Sequence, residues 1–314
     1  MKYIYFGSDN FSLSILEGIC KKQKPIAIVT QPDRASGRKQ KLQSPPLAIF
    51  AKENNIPLYQ PESLKKEEAQ QPIIDLGADL FIVVSFGQIL TQSFLDKSPA
   101  IINGHASLLP KLRGASPIQS SIIQGHVNMG MSIMHIVKAL DAGPVIQMDE
   151  FPLDPKETGG SLTNKLSKLA IKQFEQILAL EKVPAGTEQN HDEATHCGKI
   201  LKPDMRLKTE SQTVVELDRW IRALSPYPGA YLILNSKKGE LRLKIYKTEF
   251  CDFRGNPNSI FQDGKDLYLN GYDQSQSLKL LSIQVQGKAA MDPSAFLNGW
   301  NMQFEADIVI PQDA

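Results

Sequence analysis

Apolar residues in the first half of the chain occur in short continuous runs, and stretches with helical spacing separate these runs. Runs that are rich in β-branched and aliphatic residues are typical of parallel strands buried on both faces. The pattern therefore predicts an α/β domain with a mostly parallel, Rossmann-like sheet. Its predicted strands are 3–6, 25–30, 79–85, 100–103, 130–137 and 143–151, and its predicted helices are 11–21, 47–54 and 161–180.

The pattern changes after this last helix. Residues 181–204 are polar and contain Pro184, Gly186, Gly198 and Pro203, a composition that is typical of a linker. A helix is predicted over 214–224, and short alternating strands are predicted over 230–234, 241–250, 266–269 and 278–285. Short strands at this spacing favour a small β-barrel of the OB-like kind. We therefore predict a first domain over 1–185, a linker over 186–205 and a C-terminal β-barrel over 206–314.

Composition narrows the class of protein. A length of 314 residues favours two domains, and a net charge of +1 argues against a generally basic nucleic-acid binder. The three cysteines, Cys20, Cys197 and Cys251, are far apart and lack the spacing of a metal site, which fits a reducing compartment. The chain shows no apolar run of the length that a signal peptide or a membrane span needs, so a cytoplasmic location is predicted.

The chemistry is predicted at the end of the 100–103 strand, because ligands of parallel sheets bind beyond the carboxyl ends of the strands. Asn103 and His105 are two residues apart on an extended chain, so their side chains point to the same side. An amide donor beside an imidazole suits a carbonyl oxygen that gains negative charge. Asp141 could orient the imidazole or take up a proton. It could equally be a turn-forming residue, and a histidine near a strand end is often structural.

Longer motifs surround these three residues. Asn103-x-His105-x-Ser107-Leu-Leu-Pro110, then Arg113-Gly-Ala-Ser-Pro-Ile-Gln119, then Leu140-Asp141-x-Gly143 resemble the ordered signature of the folate-dependent formyltransferases. The segment from Gln31 to Pro45, the motif Ile221-Arg-Ala-x-x-Pro226-x-Pro228 and the motif Gln286-Gly-Lys-x-Ala-Met291 resemble the branch that formylates methionine on initiator tRNA. The matches run in order from about residue 3 to residue 291 and so cover nearly the whole chain.

The resemblance implies a role for each motif. Asn103, His105 and Asp141 would be catalytic, and the folate site would be lined by Ser107, Leu108, Leu109 and Pro110. The formyl donor would be 10-formyltetrahydrofolate, the acceptor would be initiator methionyl-tRNA, and no metal would take part. The protein is expected to be a monomer. The chain departs from the family pattern at Ser8-Asp9, at Gly104 and at Ala142 and Pro144, but each catalytic residue is present.

Basic residues predict where the tRNA binds. The resemblance favours contact with the tRNA acceptor stem by the 34–41 segment, which its Ser and Gly, with Pro32 and Pro45 on either side, make a mobile loop rather than a helix. A second basic cluster lies at the linker, where positive charge gathers without making the whole protein basic. For any single lysine, a solvated surface remains the alternative. The predicted contacts are Arg34, Arg38, Lys39, Lys41, Lys202 and Arg206.

Other functions remain open at this level. A related enzyme could formylate glycinamide ribonucleotide or a sugar amine, or could hydrolyse the formyl donor. A dinucleotide-binding protein is disfavoured because Gly7-Ser-Asp-Asn10 replaces the GxGxxG motif after the first strand. A tRNA-binding module without catalysis would not need Asn103, His105 and Asp141.

The substitution Arg38→Ala tests the predicted tRNA contact. We expect weaker use of charged tRNA and unchanged folate binding, because the lost interaction is with a phosphate rather than with the folate. The KM for charged tRNA and the equilibrium affinity for folate measure the two effects. An equal loss of both would contradict the assignment.

Overall fold

A computed structural model describes residues 1–36, 41–236, 239–299 and 306–310. The predicted tRNA contacts Arg38 and Lys39 lie outside the described residues. The chain divides into two compact units. Unit 1 contains Met1–Pro117, Asn128–Pro152 and Thr163–Cys197, and unit 2 contains Ile118–Val127, Leu153–Leu162 and Gly198–Ala314.

Unit 1 is built on a seven-stranded sheet. The strands of this unit are β1 (Tyr3–Gly7), β2 (Ala27–Val29), β3 (Arg34–Ser36), β4 (Lys41–Gln43), β5 (Leu58–Tyr59), β6 (Leu80–Val84), β7 (Ala100–His105), β8 (Arg113–Gly114), β9 (Asn128–His135), β10 (Val145–Pro152) and β11 (His196–Cys197). The sheet has the order β10-β9-β7-β6-β1-β2-β5. The pairs from β7 to β5 are parallel, and β9 and β10 are antiparallel. The predicted mostly parallel, Rossmann-like sheet is confirmed.

Helices lie between or after the strands of this sheet: the first four connect parallel strands, the fifth precedes β9 and the sixth follows β10. They are α1 (Asn10–Cys20), α2 (Pro46–Glu53), α3 (Glu67–Ile74), α4 (Gln92–Lys97), α5 (Pro117–Gln124) and α6 (Gly159–Leu178). Helix α1 starts directly after β1 because the Asp9 side chain caps it, accepting a hydrogen bond from the Ser12 N–H. Gly7 allows this close approach, since a Cβ there would lie 1.7 Å from Ser12 Oγ. The chain therefore passes from β1 to α1 through only two residues, Ser8 and Asp9.

The central strands of this sheet are buried along their whole length. All five residues of β1 and all five of β6 are buried, which explains their continuous apolar sequence. Phe6, Phe81 and Phe94 form an aromatic cluster on one face, with ring centroids 5.2 to 6.3 Å apart. This packing joins β1, β6 and α4, and β6 is in turn the parallel neighbour of β7.

Besides most of α5 and the start of α6, unit 2 contains an antiparallel six-stranded sheet and, among its described residues, two further α-helices. They are α7 (Val214–Ala223), β12 (Ala230–Ser236), β13 (Gly239–Asp252), β14 (Ile260–Asp263), β15 (Asp266–Leu269), β16 (Gln276–Val285), α8 (Pro293–Asn298) and β17 (Ala306–Ile308). The strand order is β14-β15-β16-β13-β12-β17. The ladder between β13 and β16 shifts register around Lys247, and such irregularities bend a strand. The sheet curls into a half-barrel, so the predicted OB-like barrel is confirmed.

The structure adds elements that the pattern missed. Strands β14, of four residues, and β17, of three, were not predicted, whereas the four-residue strand β15 was. The 34–41 segment was predicted to be a mobile loop, but β3 and β4 pair as an antiparallel ladder at its two ends. Within the described residues, no helix has the length and apolar composition needed to cross a membrane.

Candidate active site

Strand β7 carries two of the predicted catalytic residues at the carboxyl edge of the sheet. Gly104, between them, faces the core, since a Cβ there would lie 2.9 Å from Met131 Cε and 3.0 Å from Phe174 Cζ. Asn103 and His105 therefore point to the opposite face. His105 is buried and Asn103 is half-buried. A larger side chain at position 104 would collide with Met131 and Phe174.

The His105 imidazole is held from two sides. Its Nε2 lies 2.9 Å from the carbonyl oxygen of Leu112. Because a carbonyl can only accept, Nε2 carries a proton. Its Nδ1 lies 3.6 Å from Asp141 Oδ2, which is longer than a hydrogen bond but close enough for electrostatic attraction. Nδ1 is thus the ring nitrogen that remains available for chemistry.

The sequence left open whether Asp141 is a turn-forming residue or a partner of the imidazole, and its surroundings have the features of both. Its backbone is in the left-handed region, with φ of 50°, as expected of a turn residue. Its carboxylate also faces His105, and Oδ2 accepts a hydrogen bond of 2.8 Å from the Gly114 N–H. The turn places the carboxylate and the backbone N–H orients it. Among the described residues, no hydrogen-bond donor contacts Oδ1.

Residues 112–115 are fixed by a segment that sequence reasoning placed in the linker. The short strands β8 and β11 are parallel neighbours. The Arg113 N–H donates to Thr195 O at 2.8 Å, and the Leu112 N–H donates to Thr195 Oγ1 at 2.8 Å. Thr195 and Cys197 therefore support the site, although their polar, irregular sequence gives no signal of pairing. The predicted domain boundaries themselves stay a prediction.

Two further residues near Asp141 were missed. Gln189 is buried and donates hydrogen bonds to the backbone of the turn that carries Asp141. Arg113 is buried and donates to Gln189 and to His191. Arg113 could be singled out only as a member of the resemblance motif, and a glutamine in a polar stretch carries no sequence signal.

Of the four residues predicted to line the folate site, two are buried and two are half-buried. Ser107 is fully buried, and its hydroxyl donates to Lys111 O at 2.6 Å. Leu109 is buried as well, whereas Leu108 and Pro110 are half-buried. The surface that this segment offers to a ligand therefore comes from Leu108 and Pro110, and Ser107 closes the turn that presents them. Ligand contact by all four residues stays a prediction.

Hydrogen bonds tie the loops at the carboxyl edge to one another. The Ser8 hydroxyl and the Gln31 amide both donate to Phe86 O, at 2.9 and 3.0 Å. Asp33 accepts hydrogen bonds from Gln60 and from the Ser44 hydroxyl, and these bonds hold the pKa of Asp33 below its usual range. The loops after β1, β2 and β6 are thus joined, and the base of the 34–41 segment is fixed to them.

The predicted tRNA contacts have different surroundings. Arg34 lies on β3 and is exposed, Lys41 begins β4, and Lys202 is exposed in unit 2. Arg206 donates to Glu210 Oε1 at 3.2 Å and to Val309 O at 3.0 Å, so its guanidinium is bound within unit 2. These contacts stay predictions. Within the described parts of the chain, no group of three or more His, Cys, Asp or Glu side chains could hold a metal ion.

Known protein families match nearly the whole chain. The model of the formyl transferase family matches residues 1–178, and the model of the formyl transferase C-terminal domain matches residues 199–301. A methionyl-tRNA formyltransferase of Agathobacter rectalis is 36% identical, and the alignment covers 96% of this chain and 98% of that protein. One from Lactobacillus acidophilus is 34% identical, with 96% of each chain covered.

Solved structures share the fold at lower identity. The sugar 3N-formyl transferase WlaRD, solved with dTDP and 5-N-formyl-THF, has a TM-score of 0.62 at 19% identity, covering 92% of this chain and 99% of that chain. HypX from Aquifex aeolicus, in complex with tetrahydrofolic acid, has a TM-score of 0.61 at 13% identity, covering 96% of this chain and 47% of that chain. At these identities the likeness concerns the fold alone.

The substitution Gly114→Ala tests how the site is anchored. Gly114 has φ of 122°, and a Cβ there would lie 2.2 Å from the carbonyl oxygen of Cys197. We expect the free energy of unfolding to fall by about 2–4 kcal/mol, because the added Cβ strains the backbone and forces β8 and β11 apart. Urea unfolding measures this change.

Gly198→Ala is the matched control, because among the described residues no atom beyond its two chain neighbours lies within 4 Å of a Cβ at Gly198. We expect this variant to unfold at the same urea concentration as the unmodified protein. Equal midpoints for both variants would show that Gly114 does not anchor the ladder.

Proposed function

The chain belongs to the formyl transferase family, and we propose that it transfers the formyl group of 10-formyltetrahydrofolate to the α-amine of methionine on initiator tRNA. The observation that carries this proposal is the near full-length match to relatives named methionyl-tRNA formyltransferase, which extends through both units. The arrangement of Asn103, His105 and Asp141 supports it, because these groups suit acyl transfer to an amine.

Asn103 and His105 would stabilise the oxygen that becomes negative during transfer. Among the described residues, the Asn103 side chain has no hydrogen-bond partner, so its N–H donors are available. Nε2 of His105 is committed to Leu112 O, so His105 would donate through Nδ1. This donation requires a proton on both ring nitrogens, and the Asp141 carboxylate, 3.6 Å from Nδ1, would lie against such a ring.

Asp141 would also receive the proton that the attacking amine releases. A neutral amine loses one proton when its nitrogen bonds to the formyl carbon, and a carboxylate with a free oxygen can accept that proton directly or through water. The bond between the formyl carbon and the folate nitrogen then breaks, and the folate nitrogen leaves with one proton, so the transfer consumes no net proton. Oδ2 is bound to the Gly114 N–H, so Oδ1 is the oxygen assigned to this step. Orienting His105 and accepting the proton then involve different oxygens of one carboxylate.

The residues beside His105 fit the formyl donor. The donor supplies an electrophilic formyl carbon bonded to a ring-bearing nitrogen. Leu108 and Pro110 are half-buried and offer apolar surface against which a flat ring can pack. Backbone carbonyls and N–H groups at the same edge can bind the polar rim of such a ring. The predicted cytoplasmic location and monomeric state stay predictions.

The decisive experiment offers the protein 10-formyltetrahydrofolate together with charged tRNA. We expect formyl-methionine to form on initiator tRNA, and elongator tRNA charged with methionine is the control for acceptor specificity. A nucleotide-linked amino sugar and a reaction without acceptor test sugar formylation and hydrolysis of the donor. Formylation of the sugar, or formate release alone, would overturn the proposal.

Asn103→Ala tests the role of the amide. Loss of one oxyanion donor typically lowers kcat by about 10²- to 10³-fold, and we expect that range here. The melting temperature should stay unchanged, because Asn103 is half-buried and its side chain makes no hydrogen bond to a described residue. Steady-state kinetics and thermal unfolding measure the two quantities. Unchanged turnover would remove Asn103 from the catalytic group.

A further inference from the structure

A buried amide lies directly behind the turn that carries Asp141. Gln189 is 8% exposed. Its Nε2 donates to Asp141 O at 3.0 Å and to Gly143 O at 2.7 Å. One side chain thus binds the carbonyls on either side of Ala142. The backbone of the turn is held at the residue whose carboxylate faces His105.

The oxygen of the Gln189 amide is hydrogen-bonded as well. Gln189 Oε1 accepts hydrogen bonds from Arg113 Nε at 3.2 Å and from Arg113 Nη2 at 2.7 Å. The amide therefore uses both of its N–H donors and both acceptor positions of its oxygen. The opposite orientation would place N–H groups against the guanidinium and oxygen against two carbonyls. The surroundings consequently permit only this orientation.

Arg113 links the amide to the opposite side of the carboxylate. The residue after it, Gly114, donates its N–H to Asp141 Oδ2. Arg113 is itself buried, and its Nη2 donates to His191 Nδ1 at 2.9 Å. Gln189 therefore connects the turn that carries Asp141 to the strand that orients its carboxylate. A change at Gln189 would alter the distance between these two elements.

We propose that Gln189 is a positioning residue that sets the place of the Asp141 carboxylate relative to His105 Nδ1, and this inference rests on the proposed function. Gln189 acts through Asp141 and does not contact the substrate. A displacement of about 1 Å at a reacting group can lower the rate about 100-fold, so the hydrogen bonds to the turn matter for turnover.

Two substitutions separate positioning from packing. Gln189→Glu keeps the oxygen that binds Arg113, but it replaces the two donors with an oxygen that faces two carbonyls. Gln189→Met has a similar volume and lacks all of these hydrogen bonds. A packing residue would tolerate Gln189→Met, and an anchor for Arg113 alone would tolerate Gln189→Glu. A positioning residue for the turn tolerates neither substitution.

The test measures kcat, KM and melting temperature for the unmodified protein, Q189E, Q189M, D141N and the double variant D141N/Q189M. Assays run well below the lowest melting temperature. We expect both Gln189 variants to lower kcat roughly 10- to 100-fold with little change in either KM. In the D141N background, Q189M should have no further effect, because coupled residues give non-additive changes.

Each outcome decides between the possibilities. If the unmodified protein transfers no formyl group, the proposed function fails, whatever Gln189 does. If it is active and Q189M turns over equally fast, the positioning role is overturned. The role is also overturned if Q189M lowers kcat as much in the D141N background as in the unmodified protein. Loss of folding in both Gln189 variants would mean that Gln189 maintains the fold, which also overturns the inference.

Discussion

The parallel ladder between β8 and β11 fixes the backbone on which the candidate active site depends, because the groups that hold His105 and Asp141 both come from residues 112–114. The carbonyl of Leu112 accepts from one side chain and the N–H of Gly114 donates to the other. The parallel sheet alone is enough to place Asn103 and His105 at its carboxyl edge. The tautomer and the orientation of the imidazole depend on the ladder, which lies outside that sheet.

Sequence patterns predicted the elements whose burial is uniform. Strands β1 and β6 are buried on both faces, so their apolar runs are continuous and their positions follow directly. Strands β3 and β4 have three residues each, and β8 and β11 have two. Such strands form because their partners are already held nearby, so no local preference marks them.

The residues of the candidate site likewise fall into those that the sequence predicted and those that it could not. The alternation of side chains along an extended strand was enough to place Asn103 and His105 on one face, and Gly104 confirms the phase. Asp141 could be separated from a turn residue only by the resemblance, and the structure shows that its turn and its carboxylate work together. Gln189 could not be predicted from the sequence, because its hydrogen bonds to Arg113 join residues 76 positions apart. The sequence of a polar loop does not indicate such a long-range contact.

Two of the five described non-glycine residues with a left-handed backbone lie beside one imidazole. Leu112 and Asp141 both have left-handed backbones, with φ of 57° and 50°, and such a residue costs about 1–2 kcal/mol. One hydrogen bond contributes about 0.5–1.5 kcal/mol net, so each residue needs more than one to remain in place. Leu112 donates to Thr195 and accepts from His105, and Asp141 accepts from Gly114 and Gln189. Loss of one bond therefore allows a turn to relax while the sheet stays intact. The geometry of the site is thus less stable than the fold that carries it. For this reason a glutamine outside the catalytic group, in contact with the turn, can control turnover.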